Sequence, residues 1–224
     1  LIPASEIEAA KNSMSSFAFR QEFLASFEAA SRDIFKEDWI HIESEEPESG
    51  NYFIAVDLAG FIKVDKEAGN KNSKLDETAI AIVKVHEGGW WVADIRHGRW
   101  DIKETCEQIF DAVEEYEPTR IGIEKGSLKN AAMPYLMDLM RSRNTYFKID
   151  DCTHGNQKKT ERIVWALQGR FEHGKVELNY GDWNNHFIDQ LVNFPNSQLH
   201  DDLVDALAYI DQVQVVDTVF DDIE

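Results

Sequence analysis

Cysteine is almost missing from this chain of 224 residues: only Cys106 and Cys152 occur, with no CxxC spacing and no zinc-type histidine pattern beside them. Neither a disulfide framework nor a structural zinc site is supported, so two reduced thiols are expected. Long apolar runs are missing too. None approaches the ~18 residues of a membrane span, and the opening LIPASEIEAAKN lacks the basic and apolar regions of a signal peptide. A cytosolic chain with no membrane partner is the expectation. Basic residues are scarce, 23 against 42 acids, for a net charge of −19. That balance weighs against a nucleic-acid partner, because phosphate binding is driven by Lys and Arg displacing counterions.

The charge is unevenly spread, which softens the objection. Residues 1–50 carry 4 basic and 11 acidic side chains, and residues 201–224 carry 8 acids and no base. Between 120 and 175 the sign reverses, with 11 Lys or Arg against 6 Asp or Glu. That window allows a local basic face, although a solvated surface of mixed charge accounts for it equally well. Hydrophobic residues at 43% and charged residues at 29% are an ordinary globular balance, enough for one substantial domain and a flanking segment.

Ser5-x-x-Glu8 reads as a capping box, and Ile7, Ala10, Met14, Phe17, Phe23 and Phe27 recur at helical spacing, which predicts a helix over residues ~5–30. The acidic stretch from Glu43 to Asn51 contains Pro and Gly and reads as a linker, which places a domain boundary at 50/51. β-patterns follow at YFIAVDLAG from Tyr52, at Thr78–His86 and at Trp90–Gly98, three successive strands that imply an antiparallel meander. Helical patterns at Asp101–Tyr116, around NAAMPYLMDLMRSR, and at Lys158–Leu167, Trp183–Val192 and Leu199–Val213 then alternate with strands at Arg120–Glu124, Tyr146–Asp150 and KVELN. The order predicts an α/β fold: a mixed sheet with an antiparallel three-strand meander and helices on both faces.

Carboxylates stand where chemistry would want them. Asp57 lies in an apolar strand, where an ionised acid is costly unless it is paired or ligates a cation, and Glu124 ends a second apolar strand. Each alone is explained as a strand-terminal or capping acid. HDDLVDALAYI places Asp201, Asp202 and Asp205 at the start of a helix whose body is apolar. Acids in a first turn complement the helix dipole, which accounts for Asp201 better than for all three. Hard divalent cations take oxygen ligands from a few carboxylates, so acids from two strands and one helix suit such a site.

In their order, YFIAVDLAG, DETAIAIV, RIGIEKG and HDDLVDALAYI resemble the nuclease domain of bacteriophage large terminase subunits, which share the RNase H-like fold with RuvC-type resolvases. The resemblance spans Tyr52 to Val213, and HDDxxDAL is its most specific part. It implies a metal-dependent endonuclease that cuts concatemeric double-stranded viral DNA during packaging, in the cytoplasm of the infected host. It further implies two Mg²⁺ or Mn²⁺ ions held by Asp57, Glu124 and Asp202, with Asp205 and Asp201 close behind, and Asp76 in a supporting place. His200 neighbours the acids and could position water or a phosphate in such a supporting place, although a helix-capping or surface role accounts for it as well. Lys125, Lys129, Lys158, Lys159 and Arg162 would face the DNA. Phe19–Phe35 resembles the segment that follows the packaging ATPase domain, yet no GxxxxGK loop followed by Ser or Thr occurs. The expectation is a nuclease part that works joined to an ATPase domain, with portal protein and small terminase subunit as partners.

Two rivals stay open at this stage. A RuvC-like Holliday-junction resolvase would use the same acids on branched DNA, and a non-catalytic docking module of the packaging motor would keep the fold without the chemistry. Trp90, Trp91 and Trp100 could stack on bases, but aromatics on strands more often fill a core. His154 lies in a polar loop that could approach DNA, and Ser127 has no GxSxG elbow to make it a nucleophile.

Overall fold

The computed structural model describes residues 34–43, 45–61, 76–153, 155, 157–196 and 199–215, with residues 3 and 6–8. The expected helix over residues 5–30 lies outside them apart from 6–8, as do His154 and the acidic residues after 215.

Seven strands make one mixed sheet: β1 (His41–Ile42), β2 (Asn51–Asp57), β3 (Thr78–His86), β4 (Gly89–Gly98), β5 (Arg120–Glu124), β6 (Ile149–Cys152) and β7 (Val176–Leu178). Their spatial order is β1-β7-β4-β3-β2-β5-β6. The meander β2-β3-β4 is antiparallel, and β5 joins it parallel to β2 with Val56 beside Ile123. Among the described residues five α-helices cover the sheet: α1 (Ile102–Tyr116), α2 (Ser127–Arg143), α3 (Lys159–Glu172), α4 (Asn184–Val192) and α5 (Asp202–Val213). This is the α/β arrangement expected from the strand and helix patterns.

The pleat sorts side chains between two cores. Ile54, Val56, Ile80 and Ile82 face α1 and α2, while Phe53, Ala55, Ala79, Ala81 and Val83 face α3, α4 and α5. Alanines dominate the strand positions under α5, and small side chains let a helix approach a sheet closely. α5 is buried at every residue from Asp202 to Ile210, as an all-round apolar helix must be. Gly122 on β5 belongs to the same close approach: a Cβ there would stand 2.4 Å from both Val213 Cγ2 and Cys152 Sγ.

Local signals explain much of the rest. Asp101 caps α1 in a reciprocal box with Glu104, and Glu117 closes the helix in the left-handed conformation at φ 44°. Three elements depart from expectation. The strand predicted at Tyr146–Asp150 runs Ile149–Cys152 instead. It is an edge strand whose register pairs Ile121 with Ile149, and its Asp150 and Asp151 are held by Arg120, Lys148, Lys125 and Lys129. The helix expected near Pro134 starts at Ser127, with Pro134 inside it. β1 was not anticipated: two residues leave no periodicity to read. With it, Ile34 and Phe35 pack on the same core although they precede the acidic stretch, Phe35 against Phe171 and Phe194.

Candidate active site

Asp57 and Glu124 are the last residues of β2 and β5, adjacent parallel strands, so they stand side by side at the carboxyl ends where open α/β sheets place their ligands. The pleat aims both toward α5. Asp57 continues the series Phe53, Ala55 on that face, and Glu124 continues from Gly122. Asp57 is buried, and burial is the largest of the causes that push its carboxyl well above the ordinary range. The negative charge of Asp205 and a hydrogen bond shared with Glu124 push in the same direction, while Lys159 opposes them.

α5 supplies the other acids from its first turn. The Asp205 backbone N–H donates to the Asp201 carbonyl at 2.8 Å, closing the turn. Asp205 is 2% exposed and turned toward Asp57, whereas Asp202 is turned toward the start of β3. There the Glu77 backbone N–H donates to Asp202 Oδ2 at 2.9 Å. His200 Nδ1 lies 3.3 Å from Asp76 Oδ1 and 3.7 Å from Asp202 Oδ2, so one imidazole links an exposed acid to a buried one. Burial raises the Asp202 carboxyl to about 6, against the Glu77 hydrogen bond, which lowers it.

Two cations of α3 meet the acids of α5. Lys159 Nζ is 2.8 Å from Asp201 Oδ1 and 2.9 Å from Asp205 Oδ2, and these partners raise its pKa against the cost of burial. Arg162 is buried, pairs with Asp205 Oδ1 and lies over the Tyr209 ring at 4.1 Å. The Lys159 side chain stays 40% exposed while it holds Asp201 and Asp205, whereas Arg162 is turned inward. Lys129 likewise is buried and donates to the Asp150 carbonyl at 3.0 Å and to Asp151 at 2.6 Å. Arg162 and Lys129 are therefore corrected from DNA contacts to internal ion pairs, because a buried ammonium or guanidinium must keep its carboxylate. Lys125 and Lys158 are exposed beside the site.

A family model described as the terminase RNase H-like domain matches residues 55–211. The chain belongs to that family. No curated protein matches the sequence, but solved structures do. The large terminase of a thermophilic bacteriophage superposes with a TM-score of 0.64 at 10% identity, over 93% of this chain and 51% of that one. This terminase domain thus spans about half the length of that protein. The large terminase nuclease of thermophilic phage G20c, with bound magnesium, superposes at 0.53 and 14% identity over 82% of this chain and 98% of its own. The human cytomegalovirus terminase nuclease domain, manganese-soaked and inhibitor-bound, superposes at 0.53 and 14% identity over 80% and 93%. At such identities the likeness is one of fold, and the expected RNase H-like architecture is the one found.

In this terminase domain the acids named from sequence divide into two neighbouring groups. Asp57 stands with Glu124 and Asp205, and Lys159 joins Asp205 to Asp201, while Asp202, Asp76 and His200 form the second, their ligand atoms all within 4.8 Å of one another. Sequence reasoning overlooked Glu77, whose backbone holds Asp202, and Tyr209 beneath Arg162. The signal for Arg162 was available: it shares the apolar face of an amphipathic helix with Ile163, Ala166 and Leu167, a place a charge occupies only with a partner.

Proposed function

We propose that this terminase domain is a two-metal endodeoxyribonuclease that cuts concatemeric double-stranded viral DNA to length. The observation that carries the reading is the meeting of Asp57 and Glu124, from adjacent strand ends, with Asp205 of α5, while Asp202 of the same helical turn holds the neighbouring group beside Glu77. Those four acids, with Asp201, would hold two Mg²⁺ or Mn²⁺ ions. The donors fit such ions: all are hard carboxylate oxygens, and Asp57 sits buried against like charge that a divalent cation would relieve. Bound ions would activate water for in-line attack and stabilise the leaving 3′ oxygen.

The chain's own residues prepare that chemistry. Lys159 pairs with Asp201 and with Oδ2 of Asp205, and Arg162 anchors Oδ1 of Asp205, so a bound cation would take the place of Lys159 on Oδ2 while Arg162 kept the carboxylate in position. The Glu77 N–H sets the Asp202 rotamer, and His200 ties Asp76 to it. Lys125 and Lys158 would contact phosphates outside the cluster, a weak and salt-sensitive hold that suits an acidic chain. Recruitment would fall to the rest of a packaging motor: an ATPase domain joined through residues 1–50, the portal protein and the small terminase subunit, in the cytoplasm of an infected bacterium.

Incubating the chain with supercoiled plasmid, linear duplex and a four-way junction tests this, each with Mn²⁺, Mg²⁺ or EDTA. Metal-dependent cutting of plasmid and linear duplex is expected. Cutting confined to the junction would transfer the reading to a resolvase, and no cutting with either metal would move it to a docking module or to a nuclease silent without its motor.

A further inference from the structure

Beside the carboxylate cluster lies a different set of donors. Glu77, His97 and His186 each offer one ligand atom, and these atoms all lie within 4.8 Å of one another. They come from three parts of the fold: Glu77 directly precedes β3, His97 pairs with Ala79 across the β3-β4 ladder, and His186 stands on the first turn of α4. His97 Nδ1 is 2.9 Å from Glu77 Oε2, and the two imidazoles meet edge to face with centroids 4.7 Å apart. Arg99 Nε, 3.8 Å from Glu77 Oε1, steadies the carboxylate with its other oxygen toward the histidines.

We propose that these three side chains form a second metal site, separate from the carboxylate cluster, that takes a borderline transition ion such as Zn²⁺ in preference to Mg²⁺. Imidazole nitrogen favours Zn²⁺ and its neighbours, whereas Mg²⁺ favours oxygen. Ligand atoms on a tetrahedral ion with ~2.0–2.2 Å bonds stand about 3.4 Å apart, within reach of the present separations by small rotations of the exposed His186. A fourth position stays open to water, since Glu77 and His97 are about a quarter exposed.

The site has a consequence for the neighbouring acids. Glu77 uses its side chain toward the histidines and its backbone N–H toward Asp202. An ion held by Glu77 braces the peptide that orients Asp202, so it acts as a positioning element and touches no reacting atom.

Co²⁺ titration of the whole chain in saturating Mg²⁺, followed by visible absorption, tests the proposal. One equivalent should bind with the spectrum of a nitrogen-containing site and be displaced by Zn²⁺. His186→Ala removes an exposed ligand and should weaken Co²⁺ binding at least about tenfold, since even the loss of an outer partner costs about 10–100-fold. His97→Gln should do the same, with circular dichroism checking the fold of each, while Asp57→Asn should keep the spectrum. Absence of the spectrum in the unaltered chain, its survival in both histidine variants, or its loss in Asp57→Asn would overturn the proposal.

Discussion

Replacing Asp202 by Asn should stabilise the metal-free fold, and the size of the effect follows from burial. The carboxyl stands at about 6 in the folded chain against 3.8 for the free group. At 1.36 kcal/mol for each tenfold change, its charged form is disfavoured by about 3 kcal/mol. Because the folded value is the higher, the folded state binds the proton more tightly. Stability from that proton is therefore complete below 3.8 and lost as pH rises through about 6. Asn mimics the neutral form, and its carbonyl can still accept the Glu77 N–H. It forfeits an anion in the first turn of α5, costing ~0.3–1 kcal/mol. A net gain of about 2 kcal/mol at pH 8 should raise Tm by about 4–8 °C for a chain of this length. At pH 5 the gain should fall to roughly half, since the native Asp202 is by then largely protonated. Thermal unfolding in EDTA, followed by far-UV circular dichroism at both pH values, measures this. A variant that melts below the native chain at pH 8, or a gain that ignores pH, would refute the reasoning.

Arg162→Ala should be severely destabilising, by about 3–5 kcal/mol, because it leaves Asp205 buried with one of its two cations gone; urea unfolding measures it, and a change under 1 kcal/mol would contradict the pairing. Gly122→Ala drives a methyl into Val213 and Cys152 and should cost about 1–3 kcal/mol with no effect on metal binding. Lys125→Ala and Lys158→Ala should leave stability unchanged and each lower the salt slope of DNA binding by about 1, as measured by fluorescence anisotropy across a salt series.

Much of this was legible in the residues. The apolar run from Tyr52 to Val56 marked the strand that Asp57 ends, and HDDxxDAL is a local string that needs no tertiary knowledge; the face that Asp57 takes came only with the sheet. The meander was readable because three β-patterns followed one another with no helix between them. What escaped was set by partners far along the chain. Ile149–Cys152 looks less like a strand than Tyr146–Asp150 does, and only pairing with β5 and four cations around its two acids decide the register. Lys129 and Arg162 read as outward-facing bases because a basic window says nothing about direction; burial against Asp151 and Asp205 turns them inward. Glu77, His97 and His186 are separated by whole elements, and no spacing rule joins them before the sheet does.

The most direct test of the central claim is cleavage of supercoiled plasmid by the native chain and by Asp57→Asn, side by side in Mn²⁺, with thermal unfolding in EDTA to verify that both are folded. Asp57 is the acid most enclosed by like charge from both Glu124 and Asp205. Nicking and linearisation by the native chain, lost in a variant that melts at the same temperature or higher, is the result expected. Undiminished cutting by Asp57→Asn would contradict the account, because it would remove from the chemistry the residue around which the other acids are gathered.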